Sequence, residues 1–319
     1  MSNFLIAFFS VLQLLLFAAI AFSLVRFKKL NESSNSVLVT LLLYISQPCL
    51  AAYSFQKATV LVRQGVINHQ TMLVAGLWAF VLSLVLQAGF LALAYFVLRK
   101  KQKQIQYRIV TIATMLCNSG FFGVPVLEAV MGKQHPEVAV FSGLFSFVMN
   151  MLCWTVVSAI ITRDKKYISL KKVFLNPNSV ASMITIVMLC GTWVLPDLLY
   201  NMVELLGRFS TPLCMFILGV RLAMVKPREL FCTPAQYATV AVKNIVFPLF
   251  AFAVMYFIPV DVYIKQALFI ICCCPTASMT LSFAEMLGQG QKTAANLVSL
   301  STLACLVTLP TMCLLLPYF

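Results

Sequence analysis

The sequence predicts an all-helical (all-α) membrane protein, with ten transmembrane helices in two inverted repeats of five. Three observations carry this expectation. Of 319 residues, 61% are hydrophobic and 10% charged, with a mean hydropathy of +0.95, whereas a soluble domain is about half apolar and a quarter charged. The chain divides into apolar runs of roughly the 20 residues that span a hydrocarbon core. Proline motifs recur five spans apart. The same composition excludes collagen, a disordered chain and a small disulfide-stapled secreted domain.

In chain order the apolar runs are 4–25, 37–55, 72–98, 109–131, 138–162, 178–196, 200–224, 235–258, 264–287 and 293–317. The first has no basic stretch before it and is followed by Arg26, Lys28 and Lys29. Those flanks fit a retained span rather than a cleaved signal peptide. No connection exceeds 16 residues, which leaves no room for a soluble domain between spans, and the basic segment 163–177 separates the halves. The repeats are 1–162 and 176–319.

Lys and Arg number 23 against 9 acidic residues, a net charge of +14. With no soluble basic domain to carry it, the surplus argues against nucleic acid as a partner. It fits topology better. Counting Arg221 and Lys265 at the span ends with the adjoining connections, those after odd-numbered spans hold 17 basic residues and those after even-numbered spans hold 4. The positive-inside rule puts the basic side in the cytoplasm and both termini outside. The eleven cysteines lie almost entirely inside apolar runs, and His69 and His135 lie in polar connections. Neither group has metal-ligand spacing, so no metal or cofactor is expected.

Ser46-Gln47-Pro48 in span two and Ser210-Thr211-Pro212 in span seven are both Ser-x-Pro within apolar helix. Repeats of five spans must face the membrane in opposite directions, and spans four and nine then correspond. Span four carries Asn118-Ser119-Gly120, Gly123 and Pro125; span nine carries Pro275-Thr276-Ala277-Ser278. Proline removes a backbone donor and clashes with the preceding turn. Broken backbone at membrane depth persists where protein or a watery cavity satisfies it. Breaks at matching places in two halves point to a midplane transport site. Pro248 and Pro310 read as ordinary kinks, the commoner meaning of a membrane proline.

The run Asn118–Gly132, N-x4-G-V-P-V-L-E-A-x-x-G, resembles the span-four signature of the auxin efflux carrier family. Asn176-Pro177, Gly219, Pro275-Thr276-Ala277 with Phe283-Ala284, and Leu300-Ser301-Thr302 with Thr308-Leu309-Pro310 fit the same pattern over essentially the whole chain. The short central loop is like that of bacterial members associated with malate, malonate and related acids. The resemblance implies that spans four and nine cross as broken helices. It also implies a scaffold of spans one, two, six and seven (1–60 and 176–226) and a mobile transport unit of spans three to five and eight to ten (70–162 and 234–319). Elevator-type transfer, a homodimer and a bacterial cytoplasmic membrane follow from the same likeness, as does a fold shared with bile-acid/sodium symporters. One departure is Thr280, where plant members often have a second proline.

These features make a small organic anion the expected substrate. Free helix ends at the breaks offer amides with partial positive charge, so Gly120, Gly123, Pro125, Pro275, Thr276, Ala277 and Ser278 are candidate site positions. Asn118 adds an amide that donates and accepts, and in the family the matching asparagine contacts the substrate carboxylate. An intramembrane asparagine also serves as interhelical glue. Lys243 lies eight residues into span eight; it is either an anion attractor and fixed cation or a snorkelling side chain. Ser46, Gln47, Ser210, Thr211 and Asn244 are supporting polar candidates. Glu128 and Glu285 are candidates for a coupling proton or for local pairing, with sodium the other coupling ion. Glu204 and Arg208, four apart, suit a helical ion pair.

A membrane enzyme is disfavoured, since there is no H-E-x-x-H, no histidine within a span and no paired acids. A sensor lacks an output domain. A channel is less suited than a carrier to paired breaks in inverted repeats. The alternative within transport is a sodium-coupled symporter of a larger amphipathic anion.

The topology has a direct test. In a cysteine-depleted background, single cysteines replacing Lys101 or Lys166 should be labelled by impermeant reagent only from the cytoplasmic side. Cysteines at either terminus should be labelled from outside. The reverse pattern rejects this orientation, and labelling of the loops and the termini from the same side rejects the ten-span arrangement.

Overall fold

The computed structural model describes residues 2–224 and 234–319. The basic connection expected after span seven falls at 225–233, outside the described residues. Among the described residues there is helix but no strand, apart from one isolated antiparallel bridge. Seven helices are long and apolar enough to cross a membrane: Asn3–Arg26, Ser34–Arg63, His69–Lys101, Ala139–Thr162, Asp197–Met224, Pro234–Tyr256 and Gln291–Tyr318. Three shorter apolar helices accompany them, Ser119–Val130, Pro177–Cys190 and Val262–Cys272.

Seven is fewer than the ten crossing segments the sequence suggests, and each shortfall has a local cause. Expected span four is divided into helices Ile105–Ala113 and Ser119–Val130, and expected span nine into Val262–Cys272 and Met279–Leu287. The run 178–196 is helical only to Cys190, where Gly191 caps the helix and Thr192 turns left-handed at φ 55°. The run 37–55 errs the other way. Its helix continues to Arg63, because Gln56, Ala58, Thr59 and Val62 bury one face with no breaker among them.

Proline acts more subtly than a simple kink. Widened π-turns at Leu42–Ser46, Ser119–Gly123 and Val242–Val246 directly precede the helical turns that hold Pro48, Pro125 and Pro248. A wider turn accommodates the ring and the missing donor. Pro212 and Pro310 lie inside continuous α-helix instead.

Asn3–Arg26 shows how the bundle is assembled. It is apolar on all sides, with small or slim residues buried (Ala7, Val11, Leu14, Ala18, Ala21) and large ones exposed (Leu5, Phe9, Leu16, Ile20, Leu24). A helix apolar all round fits a lipid-facing position. Its buried stripe packs on Asp197–Met224, closely enough that a Cβ on Gly219 would stand 2.0 Å from the Ala18 carbonyl oxygen. Small residues let helix backbones approach where lipid gives no hydrophobic drive. Asp197–Met224 and Pro177–Cys190 both pack on Gln47–Arg63, while His69–Leu98 packs on Ala139–Leu152.

Gly219→Val should force these two helices apart. Overpacking of this kind costs about 1–3 kcal/mol or more, so thermal unfolding in detergent should move to clearly lower temperature. Gly76→Ala, whose new methyl would meet Leu144 at an ordinary 3.7 Å, should leave the transition near that of the parent protein.

Candidate functional site

The two breaks meet. Residues 114–118 and 273–278 leave the helix and run antiparallel, bridged at Cys117 and Thr276. The Asn118 N–H donates to the Pro275 carbonyl at 2.8 Å, and the Ala277 N–H donates to the Leu116 carbonyl at 2.9 Å. Each break thus supplies the backbone partner that the other lacks, which is what buried peptide groups require.

The helix ends that enter the breaks expose carbonyls and need donors. The Thr276 hydroxyl donates to the Ala113 carbonyl at 3.2 Å. On the other strand the fully buried Lys243 ammonium donates to the Cys272 and Cys274 carbonyls at 3.0 and 2.7 Å. A cation there lies at the negative end of Val262–Cys272. Lys243 also lies over the Phe247 ring, 5.0 Å from its centroid. The Ser301 hydroxyl accepts from the Thr276 N–H at 3.0 Å, and Asn244 donates to the Ser301 carbonyl at 3.0 Å. The turn beyond is closed by the Thr280 N–H donating to the Ala277 carbonyl at 3.1 Å, a bond that proline at this position could not make.

The helix starts leaving the breaks face a cavity of about 430 Å³. Asn118, Ser119 and Gly120 line it from one break, and Ala277, Ser278 and Met279 from the other. Gln47 and Leu50 contribute from Ser34–Arg63, and Ile217 and Arg221 from Asp197–Met224. Much of the remaining wall is aromatic or methionine: Tyr44, Phe121, Met149, Trp154, Phe283 and Met286. Ser142 holds the first break by donating to the Ser119 carbonyl at 2.6 Å, and the Ser119 and Ser146 hydroxyls are 2.7 Å apart. Asp197–Met224, with Cys214 buried on it, packs on the turn Ser119–Gly123 that follows the first break.

Of the positions expected from sequence, Asn118, Gly120, Ala277, Ser278 and Gln47 line this cavity. The others are placed elsewhere. Pro275 and Thr276 form the backbone bridge. Gly123 lies where the first break packs on the second, a Cβ there standing 3.4 Å from Cys274 Sγ. Pro125 lies in the first turn of Val124–Val130. Lys243 and Asn244 sit behind the crossing, holding carbonyls rather than facing the cavity. Ser210 donates to the Gly207 carbonyl of its own helix, Ser46 is buried in a π-turn, and Thr211 is half-buried. Glu128 pairs with Lys57 at 2.6 Å, and Glu285 with Arg221 at 3.8 Å. Glu204 pairs with Arg208 at 2.8 Å, and the same guanidinium donates to Tyr53 at 2.7 Å.

Sequence reasoning missed Arg221, the guanidinium on the cavity wall. Four residues from the end of an apolar run, it counted naturally with the basic connection that follows. It also missed Asn150 and Asn178, which line the cavity; Asn150 donates to Ser179. The signal available for Asn178 was its place directly after Asn176-Pro177.

A protein-family model described as a membrane transport protein matches residues 6–313. No curated protein matches the chain.

Lys243→Ala should orphan two buried carbonyls. An unmet buried acceptor costs about 1–3 kcal/mol, so the variant should unfold at lower temperature in detergent. Lys243→Arg should rescue poorly, since a planar fork does not replace a compact ammonium in a filled space. Unchanged unfolding of Lys243→Ala would show that other groups meet these carbonyls.

Proposed function

Because the chain belongs to the membrane transport protein family, the auxin efflux carrier family that its span-four signature resembles, we propose that it is a secondary carrier of small organic anions. The substrates are mono- or dicarboxylates such as malate or malonate, moved actively or by facilitation through elevator-type alternating access. The protein is an integral membrane transporter, and its setting in this reading is a bacterial cytoplasmic membrane with both termini outside.

The observation that carries the reading is the convergence of two helix starts on one cavity beside Asn118. A helix start has N–H groups without intrahelical partners and a partial positive charge, and two of them aimed at one space favour an anion. Asn118 lies at the start of one, with an amide able to donate to a carboxylate. The carbonyl ends of the same breaks are closed by Thr276 and Lys243, which leaves the donor ends for a ligand.

The antiparallel bridge at Cys117 and Thr276 supports an inverted repeat, because a two-fold axis in the membrane plane would relate its strands. Packing supports the division into a scaffold built on Asn3–Arg26, Gln47–Arg63, Pro177–Cys190 and Asp197–Met224 and a moving unit that carries both breaks. In this scheme Lys243 is a fixed cation at the crossing, in the role that a coupling sodium would otherwise have, and the carrier works as a homodimer. The aromatic and methionine wall supports a second reading, a sodium-coupled symporter whose anion has a sizeable apolar body.

Asn118→Ala should weaken substrate binding about 10- to 150-fold, the value of a hydrogen bond to a charged partner. Calorimetry on folded protein with malate, malonate and phenylacetate checks this. In proteoliposomes, unlabelled substrate on the far side should accelerate uptake of label. Uptake indifferent to it indicates a pore and rejects the carrier.

A further inference from the structure

Two basic residues occupy matching places after the two Ser-x-Pro motifs. Lys57 lies nine residues beyond Pro48, and Arg221 nine residues beyond Pro212. Each faces an acid on the helix leaving a break, Glu128 for Lys57 and Glu285 for Arg221. The pairs differ in one respect that matters. Lys57 and Glu128 are in tight contact at 2.6 Å, both about one-fifth exposed (21% and 23%). Arg221 and Glu285 stand 3.8 Å apart, with the arginine 19% and the glutamate 52% exposed. That distance is beyond a hydrogen bond, and an ion pair with one half-exposed partner contributes little to stability.

Arg221 is therefore a cation on the cavity wall with unused hydrogen-bonding capacity. Among the described residues no hydrogen bond occupies its guanidinium, and Glu285 is its nearest acid. Near the end of its apolar run, Arg221 could have turned out to the membrane surface as a snorkelling side chain, yet it is 19% exposed and lines the cavity. Its five donors form a fork that matches a carboxylate with two parallel hydrogen bonds. We infer that Arg221 is a second receptor for the substrate's carboxylate, in addition to Asn118 and the helix starts, and that Glu285 is the internal carboxylate which the substrate displaces. The inference rests on the organic-anion reading above. It adds that the site selects an ionised carboxylate over the neutral amide of the same shape. It also gives substrate a structural effect, since displacing Glu285 undoes a link between Asp197–Met224 and Met279–Leu287.

The test is calorimetric titration of the full chain in detergent with two matched pairs, phenylacetate against phenylacetamide and malonate against malonamide. The parent should prefer each acid. Arg221→Gln should lose about 10-fold or more in acid affinity, with amide affinity unchanged. Arg221→Lys should restore part of the loss. Glu285→Gln, a change at a half-exposed side chain, should move the other way and raise acid affinity several-fold by removing the competitor. If the pair only staples two helices, both changes will shift affinity in the same direction or not at all, and the inference fails. A parent that binds acids while Arg221→Gln keeps the full preference overturns Arg221 as receptor and leaves the carrier reading standing. A parent that binds no acid and exchanges no labelled carboxylate overturns both.

Discussion

Everything around the site follows from the need to satisfy backbone where two helices stop inside an apolar interior. An unpaired peptide group there costs several kcal/mol, so neither break is tenable alone. Their solution is mutual, a short antiparallel bridge at Cys117 and Thr276 with Asn118 donating to Pro275 and Ala277 to Leu116. The remaining carbonyls take the Thr276 hydroxyl and the Lys243 ammonium. With the carbonyl ends closed, the unclaimed polarity of the breaks is that of their helix starts. In the carrier reading proposed above, that remaining polarity is what favours an anion.

Charge is divided along the same line. Lys243 is fully buried behind the crossing and serves the protein's own backbone. Arg221 stands in front of it on the cavity wall, loosely opposed by Glu285. Lys57 and Glu128 make the closer pair outside the cavity lining. An apolar membrane protein keeps few charges within its helices because each is costly, so the division between structural and solvent-facing cations has direct consequences for ligand selection. The aromatic and methionine wall offers adaptable apolar contact, and orientation falls to the few polar groups, as is usual in small-molecule sites.

Close packing supports this arrangement from outside. Gly219 brings Asp197–Met224 onto the backbone of Asn3–Arg26, and the same long helix presents Ile217 and Arg221 to the cavity. The Ser-x-Pro motifs, alike in sequence, behave differently: Pro48 follows a π-turn, whereas Pro212 is absorbed by continuous α-helix. Local sequence sets the missing donor, and the neighbouring helices determine how the turn accommodates it.

The sequence by itself determined what depends on local composition. Apolar runs of spanning length marked a membrane protein, Pro275–Ser278 marked the second break, and the i,i+4 spacing of Glu204 and Arg208 marked their pair, now seen at 2.8 Å. Of the run Asn118–Pro125 only Asn118 belongs to the first break, which lies at 114–118, ahead of the glycines and proline. Tertiary structure decided what depends on facing. In an apolar helix the lipid side, the packed side and the cavity side have similar hydropathy, so no periodicity distinguishes Lys243 behind the crossing from Arg221 on the cavity wall. Lys57 looked like a loop residue and proved helical, with its partner 71 positions away. Bonds such as Asn118 to Pro275 join segments with no local relation, and their pairing is fixed by how the helices pack, because that alone determines which unsatisfied groups come within reach of one another.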